Sequence, residues 1–276
     1  MGEQRASDGK EPSTAALIIN ADDWGRDRET TERIRECISR RTVSSVSAMV
    51  FTKDSERAAE IAQENDIDAG LHLNFTTPFT KANCPLRLME HQSKTAAYLR
   101  RHRLAQVLYH PGLARSFQYV FDAQMEQFQH LYQRAPNRID GHHHMHLCAN
   151  VLFGNLLPKG VIVRRNFCFT SKEKGLMNRL YRQALDRFLA RHHFLVDFFF
   201  QLEPMDRLGK IFPLAHQFVV EIETHPAKAD EYRFLTSGEI ARWLGDVPIA
   251  PRFIQASNLP TRRIGANDPS VFFGHN

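Results

Sequence analysis

"AALIINADDWG", Ala15 to Gly25, is the stretch on which the architecture turns. From Ala15 to Asn20 the run is continuously apolar until its closing amide, without the alternation of a half-exposed strand. Such runs belong to strands buried on both faces of a helix-covered parallel sheet. This one ends on two adjacent carboxylates, Asp22 and Asp23. Neighbours on an extended backbone face apart, and two acids so close resist ionising together unless a cation lies beside them. One can then bind a metal while the other stays free as a base. The alternative is an Asp-rich strand-to-helix turn.

Further along, the chain alternates strands and helices. Residues 28–41 place Ile34, Cys37 and Ile38 at helical spacing. A strand at 43–51 leads to a helix at 55–65 with Ser55 as its cap, and a strand at 67–75 follows. On that strand Gly70, His72 and Asn74 share the face opposite Leu71 and Leu73. No clean period emerges over 78–116, which reads as an insertion with some helix near 95–108. Phe121, Met125, Phe128 and Tyr132 then form a core stripe on a helix. A strand at 138–147, a short helix, a strand at 160–169 and a long helix at 172–193 come next. A late strand at 217–226 precedes a helix capped by Thr236-x-x-Glu239 and ended near Gly245. Repeated βα units predict an α/β fold with a parallel sheet. Periodicity does not separate a closed barrel from an open sheet, but both build sites at the carboxyl ends of strands. The expected organisation is a flexible tail at 1–14, one domain at 15–247 and a poorly ordered tail from Pro248 to Asn276.

Composition removes several classes. The 276 residues are 42% hydrophobic and 24% charged, which suits a globular protein with a sizeable core. The longest apolar run, "HFLVDFFFQL", is interrupted by Asp197 and far short of the roughly 18 residues of a membrane span. A net charge of +5 invites a nucleic-acid reading, but the basic residues are scattered. Their one dense patch, Leu99 to Gln106, reads as a solvated helix face, so no nucleic-acid partner is expected. The four cysteines form no CxxC pair and the N-terminus has no apolar signal region. Reduced thiols and a cytoplasmic location are the corresponding expectation.

The residues suited to chemistry cluster at predicted strand ends. "DGHHHMH", Asp140 to His146, packs four of fourteen histidines into seven residues. As a strand it would put His142, His144 and His146 on one face and His143 on the other. His72 alone reads as a hydrogen-bonded structural residue, but with Asp23 and the histidine run it completes one carboxylate and two imidazoles. Such a set leaves coordination positions open for water and substrate. "EIETHP" aligns Glu221, Glu223 and His225 on one face against Val220, Ile222 and Thr224; buried glutamates would require a polar site there, and an exposed edge strand is the alternative.

"NADDWG", "GLHLN", "DGHHHMH" and a late "HP", in this order, resemble the YdjC-like carbohydrate deacetylases over roughly Leu17 to Gly245. The resemblance implies a distorted (β/α) barrel of TIM-barrel type and metal-dependent removal of acetyl groups from N-acetylated sugars, chitooligosaccharides included. It implies Asp23, His72 and His142 as metal ligands, Asp22 as general base and His225 as the residue assisting the leaving amine or the oxyanion. His144 and His146 are then supporting or pocket-lining. Asn74, Arg164, Arg165 and Glu221 are candidate substrate-binding or supporting residues. The metal is magnesium or zinc, with manganese or iron as alternatives, and a homodimer is expected only by analogy. Two departures stand out: Trp24 where members often have Phe, and Glu223-Thr224 where members often have Met-Cys. Two other readings fit the ligand set: a non-haem Fe(II) oxygenase, and a non-catalytic sugar- or metal-binding protein on the same fold.

Overall fold

The computed structural model describes residues 15–101, 103–168 and 176–259. Strand β1 (Ala16–Trp24) is followed by α1 (Arg28–Ser39), β2 (Ser45–Ala48), α2 (Ser55–Glu64), β3 (Ala69–Leu73), α3 (Leu86–Arg101) and α4 (Ala114–Tyr132). Then come β4 (Arg138–Gly141), α5 (Ala149–Phe153), β5 (Ile162–Val163), α6 (Leu176–Leu189), β6 (Phe198–Gln201), α7 (Leu208–Ile211), β7 (Val219–Thr224), α8 (Ala229–Thr236) and α9 (Glu239–Leu244). The strands form one parallel sheet in the order β5-β4-β3-β2-β1-β7-β6, curled into a half-barrel with helices outside. The two edges approach one another: Val163 N–H donates to the Phe194 carbonyl at 3.0 Å and Cys168 N–H to the Phe199 carbonyl at 2.8 Å. This is the distorted α/β barrel that the resemblance implies.

Along β1, Leu17, Ile19 and Ala21 pack outward beneath the helices, while Ile18, Asn20 and Asp22 point inward. The interior is layered. Ile18, Ile162, Phe199, Val219, Phe253 and Leu259 form an apolar floor. Above it lie buried polar side chains, among them Asn20, Asp140, Arg138, Arg164 and Glu221. Gly70 is required by this packing, since a Cβ there would sit 2.8 Å from Arg138 Nε and 3.0 Å from its carbonyl oxygen.

Several elements differ from the sequence reading. The strand at β4 stops at Gly141, and His142–Leu147 is a 3₁₀ turn with His143 and His144 in left-handed backbone. Strand β6 was hidden in the "FFFQ" run, where Phe198 and Phe200 face the helices and Phe199 the floor. Helix α3 begins nine residues ahead of the expected helix because two of its inward positions are polar. Gln92 donates to the Thr77 carbonyl and Thr95 to the Phe75 carbonyl, so both are buried without looking apolar in sequence. Asp54, not Ser55, precedes α2. Thr236 closes α8, donating to the Tyr232 carbonyl, and the left-handed Gly238 separates it from α9, so the capping box does not form. The long helix is described from Leu176, and the N-terminal tail at 1–14 lies outside the described residues.

The segment after Pro248, read as a poorly ordered tail, packs under the barrel as far as it is described. Ala250 N–H donates to the Leu17 carbonyl at 2.7 Å, and the Phe253 ring sits 4.3 Å from the Arg138 guanidinium carbon. Residues 260–276 fall outside the described residues. Among the described residues, no helix is long and apolar enough to cross a membrane. Replacing Phe253 with Ala removes a floor side chain and the face on which Arg138 lies, so unfolding free energy in urea should fall by about 3 kcal/mol. A change under about 0.5 kcal/mol, typical of a surface position, would mean that this segment does not hold the barrel.

Candidate functional site

The site lies at the carboxyl ends of β1, β3, β4, β5 and β7. The turn "DDWGRD" aims Asp23, which takes a left-handed φ of 70° as β1 ends while Arg26 N–H returns to its carbonyl at 3.0 Å. Asp27 then caps α1 by accepting from Thr30 N–H at 2.9 Å. Arg26 Nη1 donates to Asp23 Oδ2 at 2.7 Å, which leaves Oδ1 directed inward. His72 Nε2 lies 3.5 Å from that oxygen and His142 Nδ1 lies 3.0 Å from it. These three atoms fall within 4.8 Å of one another.

A cation fits here on the evidence of the buried atoms themselves. Asp23 Oδ1 and His72 Nε2 are buried and neither makes a well-aligned hydrogen bond among the described residues, the nearest approach to Oδ1 being His142 Nδ1 at 3.0 Å. Leaving such groups unpaired is unfavourable by about 1–3 kcal/mol each. Their spacing is close to the roughly 3.4 Å edge of a tetrahedral site with ligands about 2.1 Å from the ion. On its far side His72 contacts Asp140 through Nδ1 at 2.6 Å, the carboxylate–imidazole arrangement that orients metal-binding histidines. Burial pushes the Asp23 carboxyl up, but contact with His142 and the charges of His72 and His142 outweigh it and hold it well below the usual range.

Behind these groups sits Arg164, 2% exposed, whose five N–H groups all meet carboxylates. Nη1 and Nη2 grip Asp22 at 2.7 and 2.8 Å, Nε donates to Glu221 at 2.8 Å, Nη1 to Glu223 at 3.1 Å, and Nη2 lies 3.0 Å from Asp140. Burial raises the Asp22 pKa, but Arg164 and His72 more than reverse this and bring it to about 2. Burial also raises the pKa of Glu221 and of Glu223, and there the guanidinium does not prevail. Asn20 Nδ2 donates to Asp22 Oδ1 at 2.9 Å and to Ser47 at 2.7 Å, fixing the carboxylate from below.

The remaining expected residues divide. His225 faces Asp22 from the β7 side, its Nε2 4.0 Å from Asp22 Oδ2, and is partly exposed. The histidine run does not alternate, because the left-handed pair at His143 and His144 turns each ring separately. His142 meets Asp23, His143 meets the Thr76 hydroxyl at 2.9 Å, and His144 packs on Phe167 beside Glu223. His146 lies beneath the turn with Nε2 2.9 Å from the Arg164 carbonyl, and burial lowers its pKa to about 4, so the ring is neutral. Asn74 is a turn former: its Oδ1 accepts from Thr76 and Thr77 N–H and its Nδ2 donates to the Thr77 carbonyl. Arg164 and Arg165 both point to carboxylates of the protein. Arg165 is tied to Asp186 of α6 at 2.7 Å.

A profile of YdjC-like proteins matches residues 16–246, which includes every strand and helix just described but not the floor segment after Pro248. The chain belongs to the YdjC-like family. A mouse carbohydrate deacetylase is 29% identical over 141 residues, covering 49% of this chain and 44% of the relative. A chitooligosaccharide deacetylase of Yersinia pestis (strain Pestoides F) is 31% identical over 144 residues, covering 49% and 52%. The aligned region thus spans about half the length of these relatives. A crystal structure from Enterococcus faecalis V583, of a protein provisionally described as acting in cellobiose-phosphate cleavage, superposes with a TM-score of 0.63. It shares 19% identity and covers 89% of this chain and 98% of that one, a likeness of fold.

In this YdjC-like chain, sequence reasoning gave no role to Asp140, Ser47 or Arg26. Asp140 stood inside the quoted histidine motif, and its inward position on a strand was the signal available. Arg164 should contribute strongly to stability. Arg164→Met should lower stability by about 3–5 kcal/mol at neutral pH, because it strands buried carboxylates. In the wild type, Asp22 titrates at about 2 folded against an ordinary 3.8, so its contribution is present above that ordinary value and fades as pH falls toward 2. Without the guanidinium the folded pKa rises above the unfolded one, and the sign reverses. The variant should therefore gain stability on acidification from about pH 7 to about pH 5, measured by urea unfolding. A variant that loses stability over that range would show that Arg164 does not set the carboxylate charge.

Proposed function

We propose that this chain is a carbohydrate N-deacetylase that holds a divalent metal ion on Asp23, His72 and His142, with Asp22 as base and His225 as acid. The observation that supports it most strongly is the buried convergence of Asp23 Oδ1, His72 Nε2 and His142 Nδ1, the first two 3.5 Å apart without a hydrogen bond between them and next to an ionised Asp22. The names of the mouse and Yersinia relatives direct the choice of bond to the amide of an N-acetylated sugar. Two imidazoles and one carboxylate suit zinc, magnesium, manganese or Fe(II). When bound, the metal would supply acidity to a water molecule and polarise the acetyl carbonyl.

The protein's own groups do the rest. Asp22, clamped by Arg164 and Asn20, presents a fixed carboxylate that takes the proton of the attacking water. Arg164 and His72 together outweigh its burial and favour the ionised form that a base requires. His225 faces it from the opposite wall and protonates the departing nitrogen. Asp140 holds the His72 ring by Nδ1 and so keeps Nε2 aimed at the ligand position. An oxygenase built on the same ligand set has no use for a carboxylate fixed beside the ligands by a buried guanidinium, and Asp22 therefore favours hydrolysis.

Acetate release from a panel of N-acetylated sugars, with and without added divalent metal, tests the reading. Metal-dependent release is expected, with Asp22→Asn reducing kcat by at least about 100-fold while metal content is kept. Full turnover by that variant with metal bound would remove Asp22 from the role. Asp140→Asn, which deletes no ligand, should weaken metal binding by about 10- to 100-fold in calorimetry, and unchanged affinity would refute its supporting part.

A further inference from the structure

The insertion between β3 and β4 carries a short apolar knuckle that the strand-end site does not use. After α3 the chain forms a 3₁₀ turn at Arg103–Gln106, and the Val107 and Leu108 N–H groups both return to the Leu104 carbonyl, at 3.1 and 3.0 Å. The base of the knuckle is fastened from two sides. Tyr98 of α3 donates its hydroxyl to the Leu108 carbonyl at 2.8 Å, and its ring meets that of His110 edge-to-face, the centroids 4.9 Å apart. From α5, the buried Asn150 accepts from His110 N–H and donates to the His110 carbonyl, both at 2.9 Å. Ala105 turns inward and is 1% exposed, whereas Leu104, Val107, Leu108 and Tyr109 stand out at 62, 40, 53 and 43% exposed. A single exposed apolar residue is ordinary. Four of them close together in the chain, on a backbone held in place by hydrogen bonds, form a patch that calls for a partner.

The charge around the knuckle selects the partner. Between Glu90 and Asp122 the sequence carries Lys94, Arg100, Arg101, Arg103 and Arg115 and no acid. Lys94 and Arg101, seven positions apart, share an exposed face of α3, and Arg115 is exposed at the start of α4. Among the described residues, none of these three side chains is paired with a carboxylate. Apolar side chains that enter the headgroup layer, beside free cations that meet its phosphates, are what an interfacial membrane contact requires. A nucleic acid would engage the cations but offers the aliphatic Leu104, Val107 and Leu108 little, since its bases stack on aromatic rings. The knuckle also adjoins the mouth of the barrel. Arg100 donates to the Thr76 carbonyl, and the Thr76 hydroxyl lies 2.9 Å from His143 Nδ1 in the turn that begins at His142. We propose that Leu104, Val107, Leu108 and Tyr109, with Lys94, Arg101 and Arg115 beside them, seat the protein on an anionic phospholipid surface. The mouth of the barrel then opens close to that surface, whatever bond the site breaks.

Co-sedimentation of the full chain with vesicles tests this seating. Binding is expected to vesicles of mixed phosphatidylglycerol and phosphatidylcholine, weaker by about tenfold or more to phosphatidylcholine alone, and declining as salt is raised. The double variant Leu104→Ser, Leu108→Ser should weaken binding to the anionic vesicles by about tenfold or more through lost apolar contact. Arg101→Glu with Arg115→Glu should do the same through charge. All four positions are exposed, so the urea midpoint should stay that of the wild type. Leu108→Trp, which keeps the patch apolar, should add an emission that shifts to the blue on anionic vesicles and does not shift on phosphatidylcholine. No binding to anionic vesicles at low salt, or an unshifted emission from bound Leu108→Trp protein, would overturn the proposal. So would equal binding by the serine variant, which would reduce the contact to charge alone. Duplex DNA bound as tightly as the vesicles and indifferent to the serine changes would assign the patch to nucleic acid. A dimer in sedimentation velocity that the serine changes dissolve would assign it to a second copy of this chain, and either result would overturn the lipid seating.

Discussion

One guanidinium surrounded by four carboxylates governs the interior of this barrel. Arg164 meets Asp22, Asp140, Glu221 and Glu223, drawn from β1, β4 and β7, so a single side chain ties together strands far apart in the sequence. One positive charge cannot balance four negative ones in a buried place. The structure resolves the excess in two ways. Asp22, which receives two of the five N–H groups, and Asp140, which has one of them together with His72 and the Ser47 hydroxyl, remain ionised, whereas Glu221 and Glu223, with one contact each, are driven toward their neutral forms. The same imbalance, extended to Asp23, would favour a cation at the adjoining Asp23, His72 and His142.

Left-handed backbone is part of how these groups are aimed. Asp23, His143 and His144 all occupy left-handed conformations that L side chains adopt at a penalty of about 1 kcal/mol or more. Asp23 ends β1 in a turn that Arg26 and the Asp27 cap hold closed. His143 and His144 fold the chain over Gly141, where a Cβ would lie 3.0 Å from the His146 amide nitrogen. The consequence is that one short run sends four imidazoles to four different places. A regular strand would have delivered them to two faces.

What was legible in the sequence followed from periodicity and from polar residues out of place. The apolar run of β1, the Asp doublet, His72 and the EIETHP strand could be read because each is a local pattern that tertiary contacts did not alter. What was illegible depended on partners distant in the chain. Gln92 and Thr95 are core residues only because carbonyls of the preceding loop accept from them. Phe253 is a floor residue only because Arg138 needs a surface to lie on, and β6 is a strand only because β7 supplies its neighbour. The histidine run was misread as extended because left-handed backbone at two non-glycine residues leaves no mark in composition.

His72 joins the two halves of the centre. Its Nδ1 contacts Asp140, which Arg164 and the Ser47 hydroxyl also hold, and its Nε2 faces Asp23 at the proposed metal position. The ion network is therefore not a structural core with a site placed above it. A change in the charge around Arg164 reaches Asp140, alters how firmly the His72 ring is held, and so alters the geometry presented to a cation. Asp22 is coupled in the same way, since the guanidinium that fixes its position also fixes its charge. Stability and chemistry in this barrel rest on the same few hydrogen bonds, and for that reason the polar layer lies directly beneath the strand ends, separated from the opposite end of the barrel by the apolar floor.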